Sequence, residues 1–400
     1  MAELNPAAAI TAIDADIRGL SRESALLRIL FVATSYPRDA QDWRGRFIAD
    51  ISASLARQQV LRVAQWAPPG VVASGVELAT TPAEADWLSG LMAQGGISHR
   101  LRTAPIQGLL DSIVLLRALR SAYRRAAETD LYHLNWLQCA LPLPQDGKPA
   151  LITVLGNDMR LLGLPMMRHA LRRVMRKRKV ALCPNADWMV APLKGIFGDL
   201  ATVTSVPFGI DARWYGARRA PAHLHSPPCW LVVTRLTADK LGPLFDWSEP
   251  LFKGKARQLH LFGPRQEAVS VPEWVHYHGP ATPEQLASEW FPRAQGLITL
   301  SRHAEGRPQV ILEAMAAGLP IVASRLPAHV DMIENGHTGY ICETPEHYGD
   351  ALDALESPDL NMKVGGAARA WAKQIFGTWD DCAVRYLRIY QQLQVGAPRV

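Results

Sequence analysis

Residues 301–324 read SRHAEGRPQVILEAMAAGLPIVAS and contain the clearest secondary-structure pattern in the chain. An apolar run ends just before it at Leu300, and apolar residues then recur at helical spacing between positions 308 and 317. Pro308 suits the first position of a helix, and Gly318 suits the residue that follows its end. The chain becomes apolar again after Pro320. The stretch therefore predicts a strand, a polar loop, a helix and a second strand, which is the repeating unit of a parallel sheet.

The same alternation of strands and helices extends over most of the chain in both directions. Further strands are predicted at 26–33, 61–66, 130–136, 150–155, 180–184, 229–234, 258–263 and 274–278. Helices are predicted at 109–126, 165–178 and 283–290, with a helical region from 360 onward. Because strands that alternate with helices of this length form parallel βαβ units, the fold class is predicted as α/β.

One segment without apolar periodicity divides this pattern. It is DARWYGARRAPAHLHSPP at 211–228, and its many Pro, Arg, Ala and His residues are typical of a linker. We therefore predict two Rossmann-like domains that face a cleft. The predicted divisions are a loosely ordered leader at 1–26, an N-terminal domain at 27–210, the linker at 211–228, a C-terminal domain at 229–375, and a helix at 376–400 that packs back toward the N-terminal domain.

Composition excludes several classes of protein. The 400 residues are 48% apolar and 20% charged, which is unlike disordered, collagen-like or coiled-coil chains. The five cysteines are odd in number and far apart, so they predict neither a disulfide framework nor a zinc site, and they suit a reducing cytoplasm. The longest nearly unbroken apolar stretch, 314–323, is far shorter than the roughly 18–20 residues of a membrane-spanning helix. The N-terminal residues lack the pattern of a signal peptide.

The loop within 301–324 is also the most informative place for chemistry. Open α/β sheets bind ligands at the carboxyl ends of their strands, and backbone amides at a helix N-terminus attract phosphates and hydroxyls. Glu305 lies just before the predicted helix, and Glu313 lies about a turn and a half inside it. Taken alone, this pair of carboxylates also fits an ordinary amphipathic helix with one exposed glutamate.

The full string resembles the donor-site signature of the retaining glycosyltransferases of the GT-B fold, most closely the large family 4 group. In that family the first glutamate faces the transferred sugar and the second bonds the ribose of the nucleotide. The resemblance implies these roles for Glu305 and Glu313. It implies that the remaining donor-binding residues of the segment are Gly306, Arg307, Pro308, Gln309 and Val310.

A second match lies at 230–240, WLVVTRLTADK. It resembles the family's strand that ends in G-R-L-x-x-E-K, whose arginine and lysine hold the donor diphosphate. Arg235 and Lys240 have the matching spacing. Two fixed cations stabilise the negative charge that develops on a departing nucleoside diphosphate more strongly in the transition state than in the ground state. Together with Glu305 they are the predicted catalytic residues.

The N-terminal half resembles the family more generally. Gly45 follows the first strand where a family glycine amide approaches the donor phosphate, although an ordinary turn glycine fits equally well. His133, in YHLNW, matches a family strand end and is a candidate for the acceptor side of the cleft, with a packed core histidine as the alternative. Asn157 and Asp158 are further acceptor-side candidates, because TVLGND at 153–158 resembles the family's T-x-H-G-x-D. Leu155 stands where that segment has a histidine that contacts the sugar.

Residues 166–179 contain seven Lys or Arg and no acidic residue. One interpretation is a packed helix with a solvated basic face. The other is attachment to an anionic membrane, because polybasic segments bind acidic lipids. Nucleic acid is a weaker possibility, since aromatic interleaving and a recognised binding module are lacking. The candidate membrane contacts are Arg168, Arg172, Arg173, Arg176 and Lys177.

The resemblance implies an enzyme that moves a sugar from a nucleoside-diphosphate sugar to an acceptor hydroxyl with retained anomeric configuration. It implies no cofactor and no essential metal, because cations and helix amides take the role of a divalent ion. By analogy, we expect a cytoplasmic enzyme at the inner face of the plasma membrane that acts in bacterial polysaccharide or lipid-linked glycan assembly. Two alternatives are another GT-B enzyme, such as a sugar-nucleotide epimerase or a phosphorylase, and a non-catalytic sugar-nucleotide-binding partner of an assembly complex. Leu155 keeps the second alternative open.

Overall fold

The structure is a computed structural model that describes residues 26–39, 42–217, 219 and 227–395. Almost all of the predicted leader therefore lies outside the described residues, as does about half of the predicted linker.

The N-terminal domain is a seven-stranded parallel sheet with helices on both faces. Its strands are Leu27–Val32 (β1), Leu61–Trp66 (β2), Val76–Leu78 (β3), Leu131–Asn135 (β4), Ala150–Val154 (β5), Val180–Pro184 (β6) and Thr202–Val203 (β7), in the order β3-β2-β1-β4-β5-β6-β7. Its helices are Arg46–Ala56 (α1), Pro82–Ala93 (α2), Gly96–Thr103 (α3), Pro105–Arg125 (α4), Gly156–Leu161 (α5), Met167–Met175 (α6) and Val190–Phe197 (α7). Short 3₁₀ turns occupy Leu137–Ala140 and Asp187–Met189.

The helix Ala212–Gly216 (α8) follows the N-terminal domain, and a six-stranded parallel sheet forms the second domain. Its strands are Cys229–Val233 (β8), Gln258–Phe262 (β9), His276–Gly279 (β10), Gly296–Thr299 (β11), Ile321–Ser324 (β12) and Gly339–Cys342 (β13), in the order β10-β9-β8-β11-β12-β13. Its helices are Ala238–Leu241 (α9), Leu244–Phe252 (α10), Pro283–Gln285 (α11), Gln309–Ala316 (α12), Pro327–Val330 (α13), Pro345–Leu355 (α14) and Pro358–Ile375 (α15). Helix α11 continues into a π-helical turn at Leu286–Trp290 and a 3₁₀ turn at Phe291–Arg293.

The two sheets confirm the predicted α/β class and the pair of Rossmann-like domains. Every residue of β4, β5 and β6 is buried, as expected of strands that helices cover on both faces. The carboxyl ends of the strands in the two domains face each other. Loops after β5 and β6 thus meet the loop after β11, and this edge is where ligands bind in open α/β sheets.

The chain returns to the N-terminal domain at its end. The helix Trp379–Gln394 (α16) packs on α1 and contributes eight buried residues to one of the two core clusters of that domain. Ile210, where the chain leaves the domain, pairs with Thr378, where it comes back. The domains are therefore joined by two adjacent chain segments.

Among the described residues, no helix combines the length and the apolar character that crossing a bilayer requires.

Candidate functional site

The loop between β11 and α12 forms the centre of the candidate site. Apolar residues of α12, among them Ile311, Leu312 and Met315, are fully buried and fix the helix on the sheet. Pro308 directly precedes the helix in an extended conformation, so the amides of Gln309 and Val310 open α12. The Arg302 N–H donates to the Asp239 carbonyl at 2.7 Å, which holds the loop against α9.

Helix α9 places a lysine directly on the loop glutamate. Thr237 caps this helix by accepting a hydrogen bond from the Lys240 N–H at 3.2 Å. The Lys240 Nζ lies 2.5 Å from Oε1 of Glu305, and the two side chains are only 12% and 16% exposed. Burial lowers the pKa of Lys240, Glu305 opposes this effect, and the Arg235 cation adds to it. Lys240 and Arg235 thus share one site with Glu305, which lies 65 and 70 residues after them in sequence.

Arg235 connects the site to the first loop of the N-terminal domain. Its guanidinium carbon lies 5.4 Å from the centroid of the Trp43 ring, and its Nη1 donates to Gln266 at 3.2 Å. Burial lowers the pKa of Arg235 in spite of the Glu305 carboxylate. The loop that carries Trp43 also carries Gly45, whose φ of 67° is left-handed. A Cβ at Gly45 would lie 2.8 Å from the backbone of Ser35, so this position requires glycine.

The N-terminal domain packs closely against the loop of Glu305. An added Cβ at Gly156 would lie 2.4 Å from both the carbonyl carbon of Glu305 and the amide nitrogen of Gly306. The Trp188 Nε1–H donates to the Gly306 carbonyl at 3.2 Å. A Cβ at Gly306 would in turn lie 2.3 Å from Oδ1 of Asn185. Both glycines are therefore needed because the two domains approach each other here.

Arg307 is predicted to bind the donor, but its side chain makes other contacts. Its side chain is 2% exposed, and Nη2 lies 2.5 Å from Oδ2 of Asp331. Nη1 donates to the Asn185 carbonyl at 2.8 Å. The guanidinium is thus committed to an ion pair and to a contact between domains, which corrects the expectation that it binds the donor. The sequence gives no indication of this because Asn185 and Asp331 are both distant along the chain.

The remaining predicted donor-binding residues of this segment can contact a ligand mainly through their backbone atoms. Gln309 uses its amide to donate to the Gly209 carbonyl at 2.8 Å, and Val310 packs against the apolar core. Pro308 has no N–H. The side chains of Arg307 and Gln309 are thus both held by backbone carbonyls of the N-terminal domain.

Glu313 lies in α12 opposite α1 of the N-terminal domain. Burial, helped by the Asp50 carboxylate on α1, raises the pKa of Glu313 to about 8. Burial likewise raises the pKa of Asp50 to about 7. Arg46 and Arg213 act on both carboxyl groups in the opposite direction. The two glutamates of the motif thus differ: one is paired with a lysine, and the other lies with Asp50 in a buried acidic cluster between α12 and α1.

Two of the predicted acceptor-side residues are core residues. His133 is fully buried, with Nδ1 2.5 Å from the Tyr390 hydroxyl and Nε2 2.9 Å from Oγ1 of Thr153. Burial lowers its pKa to about 3. His133 is therefore the packed histidine of the alternative interpretation and does not line the cleft. Sequence alone does not reveal Tyr390 as its partner, because the two residues are 257 positions apart.

Asp158 is also corrected to a structural role. It is 2% exposed and accepts hydrogen bonds from the Leu137 N–H at 2.9 Å and the Leu155 N–H at 2.8 Å. It thereby fixes the turn between β5 and α5. Its neighbour Asn157 is exposed and remains an acceptor-side candidate.

Leu155 gives this side of the site an apolar wall. It is partly buried and belongs with Phe47 and Trp136 to the margin of the N-terminal core. The Phe47 and Trp136 rings meet edge to face at 6.2 Å, and Trp136 has a φ of 74°, a conformation that costs about 1–3 kcal/mol in a non-glycine residue. The surrounding packing holds this strained residue beside the cleft.

Two imidazoles that sequence analysis does not select lie near the charged groups. His303 is partly buried two residues before Glu305, and burial lowers its pKa, with Lys240 acting in the same direction. His329 is fully buried on α13, and the charges of Glu305 and Lys240 also act on it. A histidine within the loop is a visible signal for His303, whereas the position of His329 depends on the packing of α13.

The basic side chains of residues 166–179 lie in different environments. Arg172 pairs with Asp199, with Nη1 and Oδ1 2.8 Å apart, and the Nε–H of Arg168 donates to the Leu162 carbonyl at 2.9 Å. Arg173, Arg176 and Lys177 are exposed. Only part of the predicted membrane-contact set is thus presented as a basic surface.

Within the described ranges, no three His, Cys, Asp or Glu side chains are grouped so that they could hold a metal ion. All five cysteines are free and buried.

Residues 232–357 match the family model described as glycosyl transferases group 1. This match contains Arg235, Lys240, Glu305 and Glu313. The D-inositol 3-phosphate glycosyltransferase of Streptomyces scabiei is 32% identical over 125 residues, which are 30% of this chain and 27% of that protein. Spore coat protein SA of Bacillus subtilis is 35% identical over 99 residues, 24% of this chain and 26% of that protein. The chain thus matches about a quarter of the length of these curated relatives.

Solved structures resemble nearly the whole chain. Sucrose-phosphate synthase from Thermosynechococcus elongatus has a TM-score of 0.68 at 16% identity and covers 93% of this chain and 100% of its own. HepE of Anabaena, in complex with UDP and glucose, has a TM-score of 0.63 at 14% identity and covers 92% of this chain and 100% of its own. At such identities the likeness shows the fold, and the family match concerns residues 232–357 alone. Residues 232–357 of this chain are therefore similar to the group 1 glycosyltransferases, and the chain as a whole has the GT-B fold.

Proposed function

We propose that the protein is a retaining glycosyltransferase that transfers a sugar from a nucleoside-diphosphate sugar to an acceptor hydroxyl. The observation that carries the proposal is the contact of Lys240 with Glu305, beside Arg235, at the strand ends that face the N-terminal domain. Glu305 provides an acceptor for sugar hydroxyls, and Lys240 and Arg235 provide two cations for a diphosphate. The site is largely shielded from water. HepE of Anabaena has been solved with UDP-glucose, which supports a donor of the same class here.

In the proposed reaction the bond between the anomeric carbon and the diphosphate oxygen breaks as the acceptor oxygen bonds to the same face of the sugar. The leaving phosphate oxygen takes the proton of the acceptor hydroxyl, so no protein base is required. Arg235 and Lys240 stabilise the charge that develops on the diphosphate. Glu305 orients the sugar through its hydroxyls.

The rest of the donor lies, in this proposal, along α12 and α1. The amides of Gly306 and the residues after it hold phosphate or sugar oxygens, and Glu313 accepts hydrogen bonds from the ribose hydroxyls. Gly45 allows the first loop to approach the diphosphate beside Trp43 and Arg235. The acceptor enters from the N-terminal domain between Asn157 and the apolar wall of Leu155.

Purified protein incubated with UDP-glucose, UDP-galactose, UDP-N-acetylglucosamine and GDP-mannose, with bacterial glycolipid extract as acceptor, tests this function. We expect release of one nucleoside diphosphate that depends on the extract, and a product whose anomeric configuration by NMR is that of the donor. Binding of a nucleotide sugar without release would identify a non-catalytic binding protein. Conversion of the sugar without an acceptor would identify an epimerase, and an inverted product would refute the retaining mechanism.

We further propose that the N-terminal domain contacts the cytoplasmic leaflet of a membrane and acts on a lipid-linked or polysaccharide acceptor. The exposed cations Arg173, Arg176 and Lys177 support this placement. So does one stripe of α4 whose apolar side chains are 40% to 81% exposed. That stripe consists of Ile106, Leu109, Leu110, Ile113 and Val114, and exposed arginines continue it at positions 117, 120 and 124.

Sedimentation with lipid vesicles measures this contact. We expect binding to vesicles with 30% phosphatidylglycerol, little binding to pure phosphatidylcholine, and at least tenfold weaker binding of the double variant Arg173→Glu/Arg176→Glu, because each cation near an anionic surface contributes about 1 kcal/mol. The matched control is Lys363→Glu/Lys373→Glu, which changes the same charge on exposed positions of α15. Equal losses in both variants, or no binding by the wild type, would refute a membrane-facing surface at α6.

A further inference from the structure

His329 combines complete burial with a ring nitrogen whose protonation state the structure fixes. Nδ1 lies 2.8 Å from the Ser324 carbonyl oxygen, which can only accept, so Nδ1 carries the proton. Nε2 of the neutral ring is then a hydrogen-bond acceptor. Within the described part of the chain, Nε2 has no protein partner although the residue is 0% exposed. Buried polar atoms are nearly always paired, so this atom calls for a ligand or a specific solvent contact.

A short chain of contacts connects His329 to the proposed donor site. The Ser324 hydroxyl donates to the Ser301 carbonyl at 2.6 Å, and the Ser301 hydroxyl lies 3.5 Å from Oε1 of Glu305. These contacts join the ends of β11 and β12 to the loop of Glu305, so the imidazole is part of the same rigid edge. Asp331, just after α13, also holds that loop through Arg307.

The electrostatic surroundings keep the ring neutral. Burial lowers the pKa of His329, and Lys240 acts in the same direction. The Ser324 carbonyl and the Glu305 carboxylate oppose this effect without reversing it. A neutral imidazole with its proton on Nδ1 offers one lone pair and no donor on the side of Nε2.

A ring nitrogen with a lone pair and no proton can form a hydrogen bond only with a donor. Phosphate and carboxylate oxygens are acceptors and are repelled by it, and the Lys240 ammonium is already paired with Glu305. A sugar hydroxyl is a donor of suitable size, and sugar hydroxyls are the groups that Glu305 would also accept. We propose that Nε2 of His329 accepts a hydrogen bond from a hydroxyl of the transferred sugar, which makes His329 a specificity residue for the donor; this inference rests on the proposed function.

Two substitutions test the roles of the two ring nitrogens separately. His329→Asn can keep the N–H that reaches the Ser324 carbonyl but has no acceptor at the position of Nε2. His329→Gln is longer and can place its carbonyl oxygen near that position. Calorimetric titration of each variant uses the nucleotide sugar that the wild type binds among the four donors above, and the matching nucleoside diphosphate.

We expect His329→Asn to bind the nucleotide sugar at least tenfold more weakly and the nucleoside diphosphate within twofold of the wild type. His329→Gln should recover most of the affinity for the nucleotide sugar. Unchanged affinity of the Asn variant for the nucleotide sugar would overturn the proposal. An equal loss for both ligands would also overturn it, since a structural role would disturb the whole site.

Monodeoxy analogues of the bound sugar identify the hydroxyl. For the wild type, one analogue should bind at least tenfold more weakly than the parent, and in His329→Asn the same deletion should have no further effect. Additive losses at every position would refute a direct contact. If the wild type binds none of the four nucleotide sugars, the proposed function itself fails, which is distinct from these outcomes.

Discussion

Replacing Lys240 by alanine is expected to lower the rate of nucleoside diphosphate release by a factor of about 100 to 1,000. Two effects combine. The departing diphosphate loses a fixed cation, and loss of one preorganised donor to a developing negative charge costs about 2.7–4 kcal/mol. The Glu305 carboxylate also loses its partner at 2.5 Å, in a place where it is only 16% exposed. A carboxylate without a partner is free to change its rotamer, and it then cannot hold the sugar in the proposed orientation.

The kinetic constants separate these effects from simple loss of binding. We expect the decrease mainly in kcat, because the charge on the diphosphate oxygen that leaves is greatest in the transition state. The matched control is Lys253→Ala, which removes an exposed lysine of the same domain and its ion pair with Glu249. That variant should keep the wild-type rate. A Lys240→Ala variant within threefold of the wild type would show that the site lies elsewhere.

Gly156→Ala is expected to have the second large effect, a decrease of about 100-fold in kcat with little change in melting temperature. The new methyl group would lie 2.4 Å from backbone atoms of Glu305 and Gly306. Backbone atoms cannot rotate away as a side chain can, so the two domains must separate to admit the methyl group. Because misplacement of reacting groups by about 1 Å costs on the order of 100-fold in rate, the catalytic step suffers while each domain keeps its own core.

Gly195→Ala is the matched control for this variant. Gly195 lies in α7 of the same domain, and an added Cβ there meets no atom within 4 Å. Small-angle X-ray scattering with nucleoside diphosphate bound should show a more open molecule for Gly156→Ala only. An alanine at 156 that leaves both the rate and the scattering curve unchanged would contradict the close approach of the domains.

The grouping of Arg235, Lys240 and Glu305 could be predicted from sequence because these residues lie in short local patterns. Strand ends fix the positions of Arg235, Lys240 and Glu305, and the order of strands brings those ends together. The short strands β3 and β7 escaped prediction because three and two residues carry too little periodicity. Helices α2 and α3 were also not predicted, because their apolar residues do not form a strong stripe along one face.

The errors share one physical cause, which is burial by distant residues. His133 and Asp158 carry side chains that are common in active sites, yet Tyr390 and the backbone of Leu137 enclose them. Arg307 lies within the most informative motif and still turns to Asp331 and Asn185. The environment of a polar side chain depends on tertiary contacts that no local pattern encodes.

The position of α16 has a consequence for the order in which the domains fold during synthesis. This helix supplies Trp379, Tyr386 and Tyr390 to the core of the N-terminal domain, and Tyr386 bonds Thr153 inside it. The two core clusters of the C-terminal domain draw only on residues between 210 and 376. Although domains usually fold as they leave the ribosome, the N-terminal one first, the domain synthesised first here cannot cover its sheet until residue 394 has emerged. The C-terminal domain can therefore complete its fold first, and α16 then completes the core of the N-terminal domain.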